Sequence, residues 1–271
     1  MKVLIFGDGW LGNCFKRYFD GVISSVDITD RALTKEIVED ISPDFVINAA
    51  GKAGFRSSFE SGEDENALFR SNVFGPVNLS VICKELDVPL VHISTGMLFN
   101  HETRIVDELT PVDPQNSYAY SKYIAERCIL PFDPLIVRVH LPVDSVHHKR
   151  NLISRLINFN DIIDIETSVT VVDSLCSAIK QLVKKNCTGV YNVVNSPPIK
   201  YMELLSWYKE LVNPSYTFNM VPAKSLIDAG IIPPTSPFFL MSTKKLNDAG
   251  ITLVDSATAI KDCLRRYQSV M

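Results

Sequence analysis

The chain has 271 residues, 46% of them hydrophobic and 21% charged, which is ample for a core and suits one α/β domain with an appendage or two interleaved lobes. A net charge of −4 gives no basic footprint for nucleic acid, and no apolar run reaches the roughly 18 residues of a membrane span. Six scattered cysteines without a C-x-x-C pair read as reduced thiols of a cytoplasmic protein, and five histidines without ligand spacing give no metal site.

From the N-terminus, Val3-Leu4-Ile5-Phe6 is short and apolar and runs straight into Gly7-Asp8-Gly9-Trp10-Leu11-Gly12, so it reads as a buried strand and not a signal peptide. A helical pattern follows through Phe15 and Tyr18. Strand, G-x-G-x-x-G and helix in that order point to dinucleotide binding. The glycines permit a tight turn, backbone N–H groups approach a pyrophosphate, and the helix N-terminus faces its charge. A plain strand-to-helix turn is the alternative. The next strand, Val22 to Val26, arrives early, so the second strand–helix unit is abbreviated. Its end, Ser24-Ser25, has neither acid nor arginine beside it; Asp27 and Ile28 are expected near the adenine, and the choice between NAD and NADP stays open.

A helix around Leu33 to Ile41 leads to a strand from Phe45 that ends in Asn48-Ala49-Ala50-Gly51, small residues against which a cofactor can lie. A polar loop from Lys52 to Asn66 precedes a helix containing Asn72, Gly75 and Leu79. The strand Pro89 to Ile93 delivers Ser94-Thr95-Gly96 to the same sheet edge. A hydroxyl there can hydrogen-bond a substrate oxygen, and strand-end hydroxyls that merely cap backbone are the alternative. After Pro111 and Pro114, a helix opens at Ser117 and runs through Ile129. Tyr118 and Lys122 lie four apart, on one helical face. A free phenol titrates near pH ~10, too high for acid–base work at neutral pH, and a neighbouring ammonium lowers it. This pair therefore suits proton transfer in a carbonyl-to-alcohol reaction, with an exposed helix pair as the alternative. Tyr120 and Tyr123 have Ile124 and Arg127 at the same spacing; only Tyr118 has the lysine.

Pro134 to Val139 is another sheet strand, after which Asp144 to Asp164 leaves the sheet with a helix over Asn151 to Ile157. Lys149, Arg150 and Arg155 are the nearest cations for a nucleoside diphosphate, or else a solvated basic patch. Val190 to Val194 returns to the sheet, Tyr201 to Val212 forms an amphipathic helix, residues 213 to 240 are proline-rich and loop-like, and a helix from Ser256 to Tyr267 closes the chain. The expected fold is α/β, a Rossmann-type doubly wound parallel sheet with a smaller C-terminal substrate-binding lobe. With no clean linker, the lobes share strands: residues 1–140 plus 167–195 as the NAD(P)-binding domain, 141–166 plus 196–271 as the substrate lobe.

The N-terminal glycine turn, Asn48 to Gly51, Ser94 to Gly96, Tyr118 with Lys122, and Asn72 in N-V-F-G together resemble the extended short-chain dehydrogenase/reductase family. The turn is one residue shorter than that family's usual G-x-x-G-x-x-G. Gly9 to Gly12, the run from Ser94 to Phe99, Arg138 to Pro142, Lys149 to Ile153, Ser168 to Asp173 and Asn186 to Asn192 are similar to the nucleotide-rhamnose synthase branch of plants and large viruses, itself related to bacterial dTDP-4-dehydrorhamnose reductase. The similarity covers nearly the whole chain and weakens after Tyr216.

The resemblance implies NADP(H) or NAD(H) as cofactor and a nucleotide-linked 4-keto-6-deoxy sugar as substrate, in a cytoplasmic enzyme whose partners are a second copy or a separate epimerase. It implies Thr95, Tyr118 and Lys122 as the catalytic trio. The cofactor is expected at Gly7, Gly9, Trp10, Leu11, Gly12, Asp27, Ile28, Ala49, Ala50, Gly51, Ser94, Tyr118 and Lys122, and the substrate at Met97, His140, Lys149, Arg150, Asn151 and Arg155. Two positions depart from the branch. Met97 stands where it has an epimerising cysteine and has no exchangeable proton; Arg155 stands where it has a lysine and stays protonated. The expected activity is reduction of the C4 ketone without 3,5-epimerisation. An NDP-sugar 4-epimerase with bound NAD, or a non-catalytic regulatory subunit on the same fold, are the rivals.

Overall fold

The computed structural model describes residues 1–52, 65–100, 105–163, 165–228 and 239–267. They fall into two compact units: Met1–Leu98 with Val112–Arg138 and Ile179–Tyr191, and Phe99–Pro111 with Val139–Ala178 and Asn192–Met271.

The fully buried β1 (Val3–Phe6) is followed by α1 (Trp10–Phe19). β2 (Val22–Ser24) stops two residues short of the expected end, because the Val26 N–H turns back to the Ser24 hydroxyl instead of a neighbouring strand. Asp30 caps α2 (Arg31–Ile41) by accepting from the Leu33 N–H. β3 (Phe45–Asn48) is fully buried. Most of the expected polar loop from Lys52 lies outside the described residues; α3 (Glu65–Phe69), a π-helical turn (Arg70–Phe74) and α4 (Gly75–Glu85) follow. β4 (Leu90–Thr95) and the short β5 (Ile105–Val106) precede α5 (Ser117–Ile129), whose N-cap Asn116 accepts from the Ala119 N–H.

The remaining elements are β6 (Leu135–Val139), β7 (Pro142–Val143), α6 (Leu152–Leu156), β8 (Asp161–Ile163), β9 (Glu166–Val171), α7 (Val172–Lys184), β10 (Gly189–Asn192) and β11 (Asn195–Lys200), then α8 (Tyr201–Leu211), β12 (Asn219–Val221), α9 (Ala223–Asp228), β13 (Leu240–Met241), α10 (Lys244–Asp248) and α11 (Ser256–Arg265). The proline-rich stretch after residue 213 is therefore not all loop. One short strand, β12, and one short helix, α9, form between its prolines, with residues 229–238 outside the described set.

The central sheet has six strands in the order β10-β6-β4-β3-β1-β2, with β2, β1, β3 and β4 in parallel register. From β1 the chain first steps outward to β2 and then back to β3 on the other side. That reversal puts the carboxyl ends of β1 and β3 at a topological switch point, where open α/β sheets bind ligands. Leu4, Phe6, Val46, Leu79, Ile82 and Leu90 pack one core of this unit, with Ile28 and Val38. The second unit has its own core, in which Val169, Val171 and Ile199 meet Leu204 and Leu205 of α8 and Ile260 and Leu264 of α11. Its strands form a three-stranded sheet, β11-β9-β7, and two two-stranded sheets, β12-β8 and β13-β5.

Candidate active site

The glycine turn differs at each of its three positions. Gly7 has φ +99°, and a Cβ there would lie 2.5 Å from the Ala50 nitrogen, so the turn presses against the end of β3. At Gly12 a Cβ would run into the Gly7 carbonyl oxygen. Gly9 is different: nothing lies within 4 Å of a Cβ built there. Gly9 is also the N-cap of α1 and offers no side-chain hydrogen bond to its first turn. The N–H groups at Trp10 and Leu11 thus open a helix whose end is uncapped by a side chain and approachable, which is what a pyrophosphate requires. Gly7, Trp10, Leu11, Ala49 and Ala50 are half-buried, and Gly51 is exposed.

Asp27 lies on the exposed loop after β2 and accepts from the Thr29 N–H at 2.9 Å. Those hydrogen bonds to Thr29, with Arg70 and Lys52 nearby, hold its carboxyl below the usual range. Ile28 is buried, and a Cβ on Gly75 would strike its side chain at 2.5 Å, so Ile28 packs the core while its backbone carbonyl takes the Asn78 amide.

Thr95 ends β4, buried, its hydroxyl accepting from the Met97 N–H at 3.1 Å. Lys122 reaches down from α5 to the same strand. Its Nζ donates to the Ile93 carbonyl at 2.7 Å and lies 3.2 Å from His92 Nε2. Tyr118 sits one turn earlier on α5 and is half-buried. Only 5% of Lys122 is exposed, and burial draws its pKa down from 10.5 to about 8, opposed by Glu126. Burial, then the Lys122 charge, holds His92 well below 6.5 and so neutral.

Behind these groups lies a buried polar scaffold, in which sequence reasoning had singled out Ser94 and Asn72 but missed Glu126. Ser94 donates to Glu126 Oε1 at 2.5 Å, and Arg138 grips the same carboxylate through Nε (3.0 Å) and Nη2 (2.7 Å). The Ser94 side chain, expected at the cofactor, is thus committed to α5. Asn72 on the π-helical turn accepts from the Lys52 N–H and donates to the Lys52 carbonyl and to Ser121 of α5. The spacing held a signal for Glu126: it stands four residues beyond Lys122 and eight beyond Tyr118, on one helical face. His92 and Arg138 had no such local mark.

The expected substrate residues divide. Met97 is 44% exposed, next to Thr95. The others lie in the second unit. Lys149, Arg150 and Arg155 are exposed. Asn151 is fully buried and donates to the Asp144 and Val146 carbonyls while accepting from the Ile153 N–H, so its side chain caps α6 and shapes its own loop. His140 is buried against Phe239, 5.1 Å between ring centroids, and burial draws it down to about 4.

A parallel sheet with its glycine turn at the switch point, and a tyrosine–lysine helix laid over the next strand end, belongs to the dinucleotide-fold dehydrogenases, reductases and epimerases. Residues 11–134 match the model of the NAD dependent epimerase/dehydratase family. The chain is 28% identical over 232 residues to a bifunctional dTDP-4-dehydrorhamnose 3,5-epimerase/reductase of Arabidopsis thaliana, covering 79% of this chain and 77% of the relative. The chain spans only 35% of the length of the trifunctional plant relatives it also matches. Its fold is similar to the crystal structure of a UDP-rhamnose synthase from Acanthamoeba polyphaga mimivirus, with a TM-score of 0.84 at 21% identity, covering 98% and 99% of the two chains. It is likewise similar to a dTDP-4-dehydrorhamnose reductase from Bacillus anthracis solved with NADP, with a TM-score of 0.80 at 20% identity, covering 98% of each.

Proposed function

We propose that this protein is an NAD(P)H-dependent reductase of the C4 ketone of a nucleotide-linked 4-keto-6-deoxy sugar. The observation that carries the reading is Lys122 seated at the Ile93 carbonyl, two residues before Thr95 and one helical turn after Tyr118. When bound, the dinucleotide supplies the hydride that the C4 carbon receives. Tyr118 gives its proton to the carbonyl oxygen as charge develops there, and Thr95 hydrogen-bonds that oxygen. Lys122 as an ammonium would favour the Tyr118 phenolate and would hold the nicotinamide ribose. The open space at Gly9 and the uncapped start of α1 suit the pyrophosphate. Lys149, Arg150 and Arg155, all exposed, are the proposed cations for a sugar diphosphate.

The reaction omits 3,5-epimerisation, because Met97 and Arg155 offer no group that exchanges a proton at working pH. A separate epimerase then acts beforehand, or the sugar is unepimerised. A cytoplasmic location and a homodimer belong to the same reading.

The test is turnover of NDP-4-keto-6-deoxy sugars with NADPH and NADH, followed by absorbance. Tyr118→Phe is expected to lose about 100-fold or more in kcat while sugar-nucleotide binding is kept. Normal turnover in that variant refutes the reading, and turnover without nicotinamide consumption points to a 4-epimerase. In D2O, C3 and C5 of recovered substrate stay unlabelled.

A further inference from the structure

Three fully or almost fully buried side chains, Asn48, His92 and Lys122, form a chain of contacts from β3 across β4 to α5. Their donors and acceptors admit only one consistent assignment. Asn48 Oδ1 faces the Ala50 N–H at 3.1 Å. A backbone N–H only donates, so the amide oxygen belongs there and the amide nitrogen faces His92 Nδ1, at 3.1 Å. An amide nitrogen also only donates, so Nδ1 carries the lone pair. A neutral imidazole then has its proton on Nε2, which points at Lys122 Nζ from 3.2 Å. An ammonium has no lone pair to receive it, but an amine does. An amine at Lys122 accepts from Nε2–H and still donates to the Ile93 carbonyl at 2.7 Å.

We propose that His92 is a further positioning residue of the reductase: fixed by Asn48 in the Nε2–H tautomer, it donates to Lys122 and favours the unprotonated amine in the cofactor-free chain. Protonating Lys122 requires the opposite tautomer and sets the Asn48 amide against a ring N–H. The charge that Tyr118 needs is thereby tied, through His92, to the backbone at Ala50 on the sheet edge. Other groups act on the same nitrogen. Glu126, from its own helix, favours the ammonium, but that carboxylate is held from the far side by Arg138 of β6; Tyr118 lies one turn before. Burial already brings Lys122 to about 8 and keeps His92 neutral. The catalytic consequence rests on the reductase reading; the tautomer does not.

The experiment is long-range nitrogen–carbon-proton correlation NMR on the full chain with 15N-labelled histidine, without cofactor, at pH 8.5. His92 is expected as the neutral Nε2–H tautomer. An Nδ1–H tautomer or an imidazolium overturns the proposal. Asn48→Asp is the reversing variant: one carboxylate oxygen keeps the Ala50 N–H and the other accepts from Nδ1–H, leaving Nε2 free to accept from an ammonium. Its His92 is expected as Nδ1–H, and the alkaline fall of kcat is expected to move upward by about one pH unit, the worth of one hydrogen bond gained by the charged form. A variant that keeps the Nε2–H tautomer, or whose alkaline limb stays or moves down, overturns it. If Asn48→Asp does not fold, the wild-type tautomer decides alone. Absence of hydride transfer in the wild-type chain sinks the reductase reading and leaves the tautomer measurement standing.

Discussion

Lys122 is where the cost and the use of one side chain meet. Its folded pKa of about 8 lies below the ordinary 10.5, so between those values the unfolded chain binds more protons than the folded one. Stability therefore rises with pH across that window, and at neutral pH the buried charge works against the fold by up to about 3 kcal/mol. Lys122→Met is expected to raise Tm at pH 7, with the gain shrinking by pH 10, while turnover is lost. Thermal unfolding at the two pH values measures it, and a gain that does not change with pH contradicts an origin in the buried charge. The identity of Lys122 and its spacing from Tyr118 were legible in the sequence, because a helix fixes i to i+4 locally. Its environment was not. His92 lies 30 residues earlier and Asn48 a further 44 before that, and only strand order makes them neighbours.

At the scale of elements, the turn between β1 and α1 separates folding from binding. Gly12→Ala places a Cβ against the Gly7 carbonyl oxygen and is expected to destabilise the first unit, because the clash is with backbone that has nowhere to go. Gly9→Ala meets nothing within 4 Å and is expected to leave stability within about 0.5 kcal/mol while weakening NADPH binding. Calorimetric melting and fluorescence titration of the two variants separate these effects; equal losses of stability contradict the assignment. The G-x-G-x-x-G pattern announced such a turn but could not rank its glycines, since their roles depend on what packs nearby. Strand β2 ended early for a comparable reason: a Ser24 hydroxyl competed for the Val26 N–H, a local contact that periodicity does not register.

For the whole molecule, each unit buries a neutral histidine, His92 in one and His140 in the other. Both have folded pKa values below the ordinary 6.5, His140 at about 4. As pH falls below 6.5 the unfolded chain takes up protons that the folded chain refuses, so stability falls toward pH 4, by up to about 3 kcal/mol for His140 alone. Unfolding midpoints in urea are expected to drop between pH 7 and pH 5, and a replacement at His140 that keeps the fold is expected to flatten the drop.

The sequence by itself determined the strand–glycine–helix opening, the positions of the main strands along the chain and the Tyr118–Lys122 pair, because each depends on spacing within one element. Tertiary structure alone decided that Ser94 belongs to Glu126, that Asn151 caps its own helix, that residues 166–184 form β9 and α7, and that Lys122 meets His92. Those outcomes turn on burial and on which distant donor finds which acceptor, and such partners exist only once the strands have taken their places.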